Sequence, residues 1–363
     1  QLSLKTQKVK DVIERIGHQN PDLVKPTLGP KNPWAYRNKM QMPVGGTKGD
    51  IQMGFYAMGS HDIVQGTNCP IQDEGNNIIA QACYQIAKEF DIESYDEHTG
   101  KGVLRHVIGR IGQSGWMIIL VTATEHLPHQ EKWVEKLTER VPQVETIVHN
   151  VNGKRTNVIL GPKNSVLYGD GTITDHIKDL RFTLSPHSFF QVNPEQTTVL
   201  YDQALAYADL KGNETVIDAY CGTGTISLFL AHKAKHVIGI EIVEPAITNA
   251  RENARRNGYD NTEFIVADAA VEMPKLYKAG VRPDVIVFDP IRAGCKEEVL
   301  TSAAGMEPKR IVYVSCNPAT MARDIEILTH YGYELEEVQP VDMFPMTAHV
   351  EAVALLTRNE VTQ

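Results

Sequence analysis

Between Glu214 and Leu356, short runs of β-branched and apolar residues alternate with longer stretches of helical periodicity, and this alternation restricts the fold more than any other feature of the chain. Thr215–Tyr220, Val237–Ile242, Phe264–Ala267, Val285–Phe288 and Ile311–Ser315 read as strands. The segments between them, such as Ala246–Asn257 and Ala319–His330, are long enough for helices, and Met321, Ile325 and Leu328 fall on one helical face. A strand–helix–strand rhythm predicts a parallel sheet with helices on both faces. Two more strand-like runs, Tyr333–Val338 and Val350–Leu356, are suited to closing the sheet's edge. This part of the chain reads as a doubly wound α/β domain.

Residues 1–185 follow a different pattern. A first helix spans Leu4–Ile16, Gly45-Gly46 and Gly169-Asp170-Gly171 mark turns, and Trp116–Thr122 and Asn157–Leu160 alternate like strands. An α+β domain over 1–185 and an α/β domain over 186–363 are expected, with the boundary near Leu184–Pro186. The net charge of −9 hides a regional split: residues 1–50 hold nine Lys/Arg against four Asp/Glu, so this segment is +5 and the remainder −14. Cysteines 69, 83, 221, 295 and 316 form no CxxC pair, which suggests free thiols in a reducing compartment. No stretch approaches the ~20 apolar residues of a membrane span, and no apolar run follows Lys5, Lys8 and Lys10. A cytoplasmic, monomeric protein without membrane attachment is expected.

The segment Asp218-Ala219-Tyr220-Cys221-Gly222-Thr223-Gly224-Thr225 follows the first strand of the α/β half, placing two glycines where a strand turns into a helix. Such a turn lets backbone approach a ligand closely. The next strand ends in Glu241, a carboxylate about 20 residues on, placed to accept hydrogen bonds from ribose hydroxyls. Asp268 ends the third strand, where it suits either the same ligand or a helix N-cap. A nicotinamide dinucleotide and S-adenosylmethionine both fit this frame. A dinucleotide would prefer a third glycine to bring the helix N-terminus to its pyrophosphate. Thr225, Ile226 and Ser227 occupy the positions after Gly224 instead, which favours a methyl donor.

The fourth strand leads into Asp289-Pro290-Ile291-Arg292 and the fifth into Ser315-Cys316-Asn317-Pro318, at the sheet end where open α/β folds build active sites. Asn317 can cap the next helix, leaving Cys316 beside the positive end of the helix dipole, where a thiol has reason to ionise. Glu351 lies in an apolar strand pattern, and facing inward it would have a raised pKa. Thiolate, base and methyl donor together solve one problem. C5 of uracil is a weak nucleophile until a thiolate adds to C6; after methylation a base removes the C5 proton and the thiol leaves.

These residues resemble the RNA uracil-C5 methyltransferases that use S-adenosylmethionine. The resemblance runs over nearly the whole chain through Ser185-Pro186-x-Ser188-Phe189-Phe190-Gln191-Val192-Asn193, Asp218-x-Tyr220-Cys221-Gly222-x-Gly224, Asp289-Pro290-x-Arg292-x-Gly294, Ser315-Cys316-Asn317-Pro318-x-Thr320-x-Ala322-Arg323-Asp324 and His349-Val350-Glu351. It implies a Rossmann-like catalytic domain in which Gln191, Tyr220, Gly222, Glu241 and Asp289 bind the methyl donor, with Asp268 at the third-strand position. Cys316 would be the nucleophile and Glu351 the base. The family usually reads Asp-Pro-Pro-Arg, and Ile291 in place of the second proline is expected to loosen that loop. The ribosomal-RNA branch often carries an iron–sulfur cluster, and Cys69 resembles its last ligand. The partner cysteines would lie before Gln1, and since a cluster needs about four, none is expected in this chain and no other metal either.

Lys31, Trp34, Tyr36, Arg37 and Lys39 interleave cations with aromatics, which suits phosphate contacts and base stacking. Phe190 joins them as an RNA-binding candidate. The expected partner is RNA, with 23S ribosomal RNA favoured over transfer RNA by the Cys69 match. Two alternatives stand beside it: an amino-group methyltransferase, which would need neither Cys316 nor Glu351, and a cofactor-regulated RNA-binding or chaperone module, which would tolerate loss of Cys316.

Overall fold

A computed structural model describes residues 1–47 and 49–359, so Lys48, one of the nine N-terminal cations, lies outside the described residues. The chain forms two compact units: residues 1–33 join those from Asn193 onward, and Trp34–Val192 form the other. The expected division at 185/186 is therefore corrected at both ends. Helix α1 (Leu2–Arg15) carries a stripe of Lys5, Val9 and Ile13 that is buried with the α/β core. Val24 and Leu28 then form parallel bridges to residues 338 and 341 of the same unit. At the other end, the amide of Asn38 donates to the carbonyl of Val192 at 2.9 Å, tying residues 186–192 to the inner unit.

The inner unit is α+β, as expected. Its strands are β1 (Lys39–Thr47), β2 (Asp50–Tyr56) and β3 (Ile63–Gln65), then, after α2 (Glu74–Glu89), β4 (Leu104–Ile111) and β5 (Trp116–Thr122). Helix α3 (Gln130–Arg140), β6 (Val144–Val151) and β7 (Lys163–Tyr168) follow, and the seven strands pair in the order β3-β2-β1-β4-β5-β6-β7. Ile79, Cys83 and Ile86 of α2 and Trp133 and Leu137 of α3 share one core with the sheet. Asn157–Leu160, expected as a strand, is irregular. The side chain of Asn152 donates to the carbonyls of Val158 and Ile159, so part of this backbone is satisfied without a ladder. A separate hairpin, β8 (Ile173–Ile177) and β9 (Leu180–Leu184), completes the unit.

The α/β unit runs through α4 (Pro194–Ala208), β10 (Thr215–Asp218), α5 (Thr225–Ala231), β11 (His236–Glu241), α6 (Glu244–Arg256), β12 (Thr262–Val266) and α7 (Ala269–Lys278). It continues with β13 (Val285–Phe288), α8 (Glu297–Gly305), β14 (Arg310–Ser315), α9 (Pro318–His330), β15 (Tyr333–Val341) and β16 (Glu351–Arg358). The sheet order is β12-β11-β10-β13-β14-β16-β15. The first five strands are parallel, and β16 enters antiparallel between β14 and β15. Val285–Phe288 is wholly apolar and wholly buried, as a parallel strand covered on both faces should be. Met321, Ile325 and Leu328 of α9 are fully buried on the predicted face, each contributing roughly 1.5–3 kcal/mol relative to exposure. The strand order reverses between β10 and β13, the switch point at which open α/β sheets place their ligands. No described helix is long and apolar enough to cross a membrane.

Candidate active site

At the switch point β10 ends in Asp218, whose buried carboxylate accepts from Ser227 Oγ at 2.6 Å through Oδ2 while Oδ1 has no partner. Burial, with the charge of Glu241 adding to it, pushes this carboxyl up to about 6. Gly224, at φ +81°, opens α5; a Cβ there would stand 3.1 Å from that of Ala250 and 3.3 Å from the ring of Phe264. A side chain at Gly222 would meet nothing within 4 Å, so the turn faces open room. Glu241, at the end of β11, accepts from the amides of Gly222 (3.2 Å) and Val243 (2.9 Å). The sheet thus brings Asp218, the glycine turn and Glu241 to one edge, as the sequence predicts.

Three other candidates sit differently. Tyr220 is half-buried and its hydroxyl bonds to the Cys295 thiol, which with burial pushes the phenol up. Asp268 caps α7 through the amide of Ala270 (2.9 Å) and accepts from Lys296 Nζ (2.9 Å), which together hold its carboxyl below the usual range. Both its oxygens are engaged. Gln191 is buried and belongs to the inner unit, two residues before Asn193.

The reacting groups gather where β13, β14 and β16 meet. Parallel pairing sets Asp289 and Cys316 just beyond the ends of neighbouring strands. The antiparallel register of β14 and β16 sets Ser315 opposite Ala352, so Cys316 and Glu351 are the next residues on each side. Glu351 is 4% exposed, and burial raises its carboxyl to about 7. Burial also raises Asp289 well above the carboxylate range, with Glu351 and Asp218 adding to the shift. Tyr201, buried on α4, faces Asp289, Glu351 and Asp218 and lies 3.3 Å from Thr225 Oγ1.

Cys316 reverses an expectation. Asn317 does cap α9, accepting from the amide of Ala319 at 3.3 Å. The thiol is nevertheless pushed up, by burial first and then by the charges of Glu351 and Asp289. Arg292, hydrogen-bonded to the sulfur, opposes the shift. The sequence named Arg292 only within a motif, although a cation three residues beyond Asp289 was the available signal. Its guanidinium also lies 3.0 Å from His349 Nδ1, and its carbonyl accepts from Asn317 Nδ2 (3.0 Å) and Thr320 Oγ1 (3.2 Å). Behind it, Asp324 accepts from the amide of Cys295 (2.7 Å) and the hydroxyl of Tyr313 (2.5 Å). Gly294 passes so close that a Cβ would lie 2.6 Å from Arg323 Nη2. The side chain of Ile291 is 77% exposed and enters none of these hydrogen bonds.

Among the RNA-binding candidates, Trp34 is 44% exposed, Lys31 is exposed, and Tyr36, Arg37 and Lys39 are half-buried. Phe190 is corrected: it is 5% exposed, its ring centroid 5.5 Å from that of Phe182, so neither face is open to a base. Phe189, at 68%, is the surface ring. Cys69 is half-buried beside Asn77, and no group of three or more potential metal ligands occurs among the described residues. A lone thiol does not fit a cluster held by about four.

Strand order, glycine turn and terminal carboxylate define a nucleoside-binding α/β fold of the Rossmann type. A family model described as tRNA (uracil-5-)-methyltransferase matches residues 117–359. The chain is 52% identical over 358 residues to an uncharacterized RNA methyltransferase of Halalkalibacterium halodurans, covering 98% of this chain and 78% of that protein. An uncharacterized RNA methyltransferase of Clostridium acetobutylicum is 49% identical over 364 residues, covering 99% and 79%. The crystal structure of Pyrococcus abyssi tRNA (uracil-54, C5)-methyltransferase with S-adenosyl-L-homocysteine superposes at a TM-score of 0.79 and 26% identity, over 98% of this chain and 84% of that one. The chain belongs to the tRNA (uracil-5-)-methyltransferase family.

Proposed function

We propose that this protein, a cytoplasmic monomer, methylates C5 of uracil in 23S ribosomal RNA with S-adenosylmethionine as donor. The observation that carries this reading is that Cys316 and Glu351 are the residues next to the Ser315–Ala352 pair of β14 and β16. An amino-group methyltransferase has no use for a thiol and a buried base at one place, and a binding module has no use for either.

The turn fits the donor. Asp218 Oδ1 is a buried acceptor without a partner, and the space at Gly222 is open. Asp218, Gly222 and Glu241 would hold the donor together with Tyr220 and Asp289, and Asp268 would border it. The bound donor supplies an electrophilic sulfonium methyl group. Arg292 stabilises the Cys316 thiolate, which adds its electron pair to C6 of the ring and drives the C5–C6 pair toward the C4 carbonyl. C5 would then take the methyl group, the methyl–sulfur bond breaking with its electron pair left on the donor's sulfur, which departs as the neutral thioether. Glu351 accepts the C5 proton, the C5–C6 double bond re-forms, and the C6–S bond breaks with its pair returning to sulfur.

Ribosomal RNA is favoured by the sequence around Cys69. Transfer RNA is the second reading, supported by the description of the matching family model and by the likeness to the Pyrococcus enzyme. RNA carrying 5-fluorouridine tests the chemistry, because fluorine cannot leave as a proton does. A denaturant-stable adduct mapping to Cys316 is expected; methylation without an adduct, or an adduct on another cysteine, overturns the mechanism. Mapping 5-methyluridine in total RNA with and without the active protein decides between the substrates.

A further inference from the structure

The inner unit contains a concentration of positive charge that its own carboxylates do not answer. Lys39, the first residue of β1, stands directly opposite Arg110 of β4 in the antiparallel register, a like-charge pair that a sheet normally avoids. Arg37 joins them by donating through Nε to the carbonyl of Lys39 at 3.1 Å. Arg110 is 3% exposed. Its guanidinium donates to the carbonyls of Ser188 and Pro186, while Nε is buried without a partner. Among the described residues none of the three cations has a carboxylate ion pair. Asp175 of β8 is reached by Asn38 Nδ2 at 3.5 Å and takes backbone hydrogen bonds from His176 and Gln113. Lys39 and Arg110 line a small cavity with Asn38, Ile111, Leu184 and Phe190.

We propose that Lys39, Arg110 and Arg37 form a binding site for one phosphate of the RNA backbone. This rests on the RNA reading above and adds to it the residues that grip the chain. Burying like charges together is unfavourable unless a counter-charge completes them. A phosphodiester supplies that charge, with oxygens matched to the fork of a guanidinium and to a lysine amine. The strain shows in the free protein. Burial, then Arg110 and Arg37, push the Lys39 amine down to about 7, and burial takes Arg110 down to about 10. His187 is lowered too, by partial burial of its ring and then by the charges of Arg110 and Lys39. An arriving anion reverses these shifts, so binding above pH 7 takes up a proton at Lys39.

The test compares wild type with Lys39→Met and Arg37→Gln, using transcribed 23S ribosomal RNA and a transfer RNA transcript at several salt concentrations. In Lys39→Met the slope of log Kd against log salt should shrink by about one and affinity should fall roughly tenfold at low salt. Its melting temperature should match or exceed that of wild type, because an uncompensated buried charge is gone. Calorimetry with S-adenosylmethionine should show no change. A Lys39→Met protein that binds RNA with an unchanged slope, or that loses S-adenosylmethionine instead, overturns the phosphate site and leaves the proposed reaction standing. A wild-type chain that binds neither RNA takes both down.

Discussion

Glu351 is surrounded by protein, and its carboxyl titrates near 7 because burial disfavours its charge. As a base it must be ionised, so the resolution of the adduct should rise about tenfold per pH unit below 7 and level off above it. Glu351→Gln keeps the shape and removes the basicity; the covalent RNA adduct should accumulate on denaturing gels, and adding Cys316→Ala should abolish it. The same shift acts on folding. A carboxyl whose folded pKa lies above its unfolded value stabilises at low pH and loses that contribution as pH rises toward 7. Stability between about pH 4.5 and 7 should therefore depend less on pH in Glu351→Gln than in wild type, measured by urea unfolding. At Glu241, replacement by Ala removes an acceptor and should weaken S-adenosylmethionine binding about ten- to a hundredfold by calorimetry; tight NADH binding with no response to S-adenosylmethionine would sink the cofactor assignment. Residue positions were legible where a motif fixes a strand end, as at Glu241 and just beyond it at Cys316. They were less legible where orientation decides: adjacent Phe189 and Phe190 look alike in sequence, yet only one faces solvent. Arg110 was missed, although it is one of two arginines in the strand Leu104–Ile111.

Among the elements, α9 anchors the catalytic loop from behind. Asn317 and Thr320 in its first turn hold the carbonyl of Arg292, and Asp324 one turn later holds the amide of Cys295. Asp324→Asn loses a charged acceptor shared by Cys295 and Tyr313, and should lower stability by about 1–3 kcal/mol. Adduct formation should slow as well, while Tyr313→Phe, which removes one donor only, should cost about 1 kcal/mol. Thermal melting and the rate of 5-fluorouridine trapping separate the two effects. Four of the five parallel strands, all but the edge strand β12, were readable because apolar runs covered on both faces have few alternatives. Position in the sheet was not: both last strands carry edge-like patterns, and only the pairing shows that β16 lies inside β15.

On the scale of the whole molecule, α1 was legible as a helix, but its buried face and what covers it were not. That face carries Lys5, whose amine pairs with Asp342 at 2.5 Å in a buried site. Lys5→Met leaves Asp342 unpaired and should cost about 3–5 kcal/mol. A companion Asp342→Leu should recover much of the loss in a thermal melt. The two partners of this ion pair are 337 positions apart. A chain emerging from the ribosome makes α1 before the inner unit, yet Met321 and Ile325 of its shared core come some 300 residues later in synthesis. The inner unit has all its residues by Val192 and is free to close while translation continues. Stalled nascent chains should therefore gain protease resistance in two stages, the inner unit first and α1 only after β16 has emerged, so that a helix made before the inner unit finds its place after it.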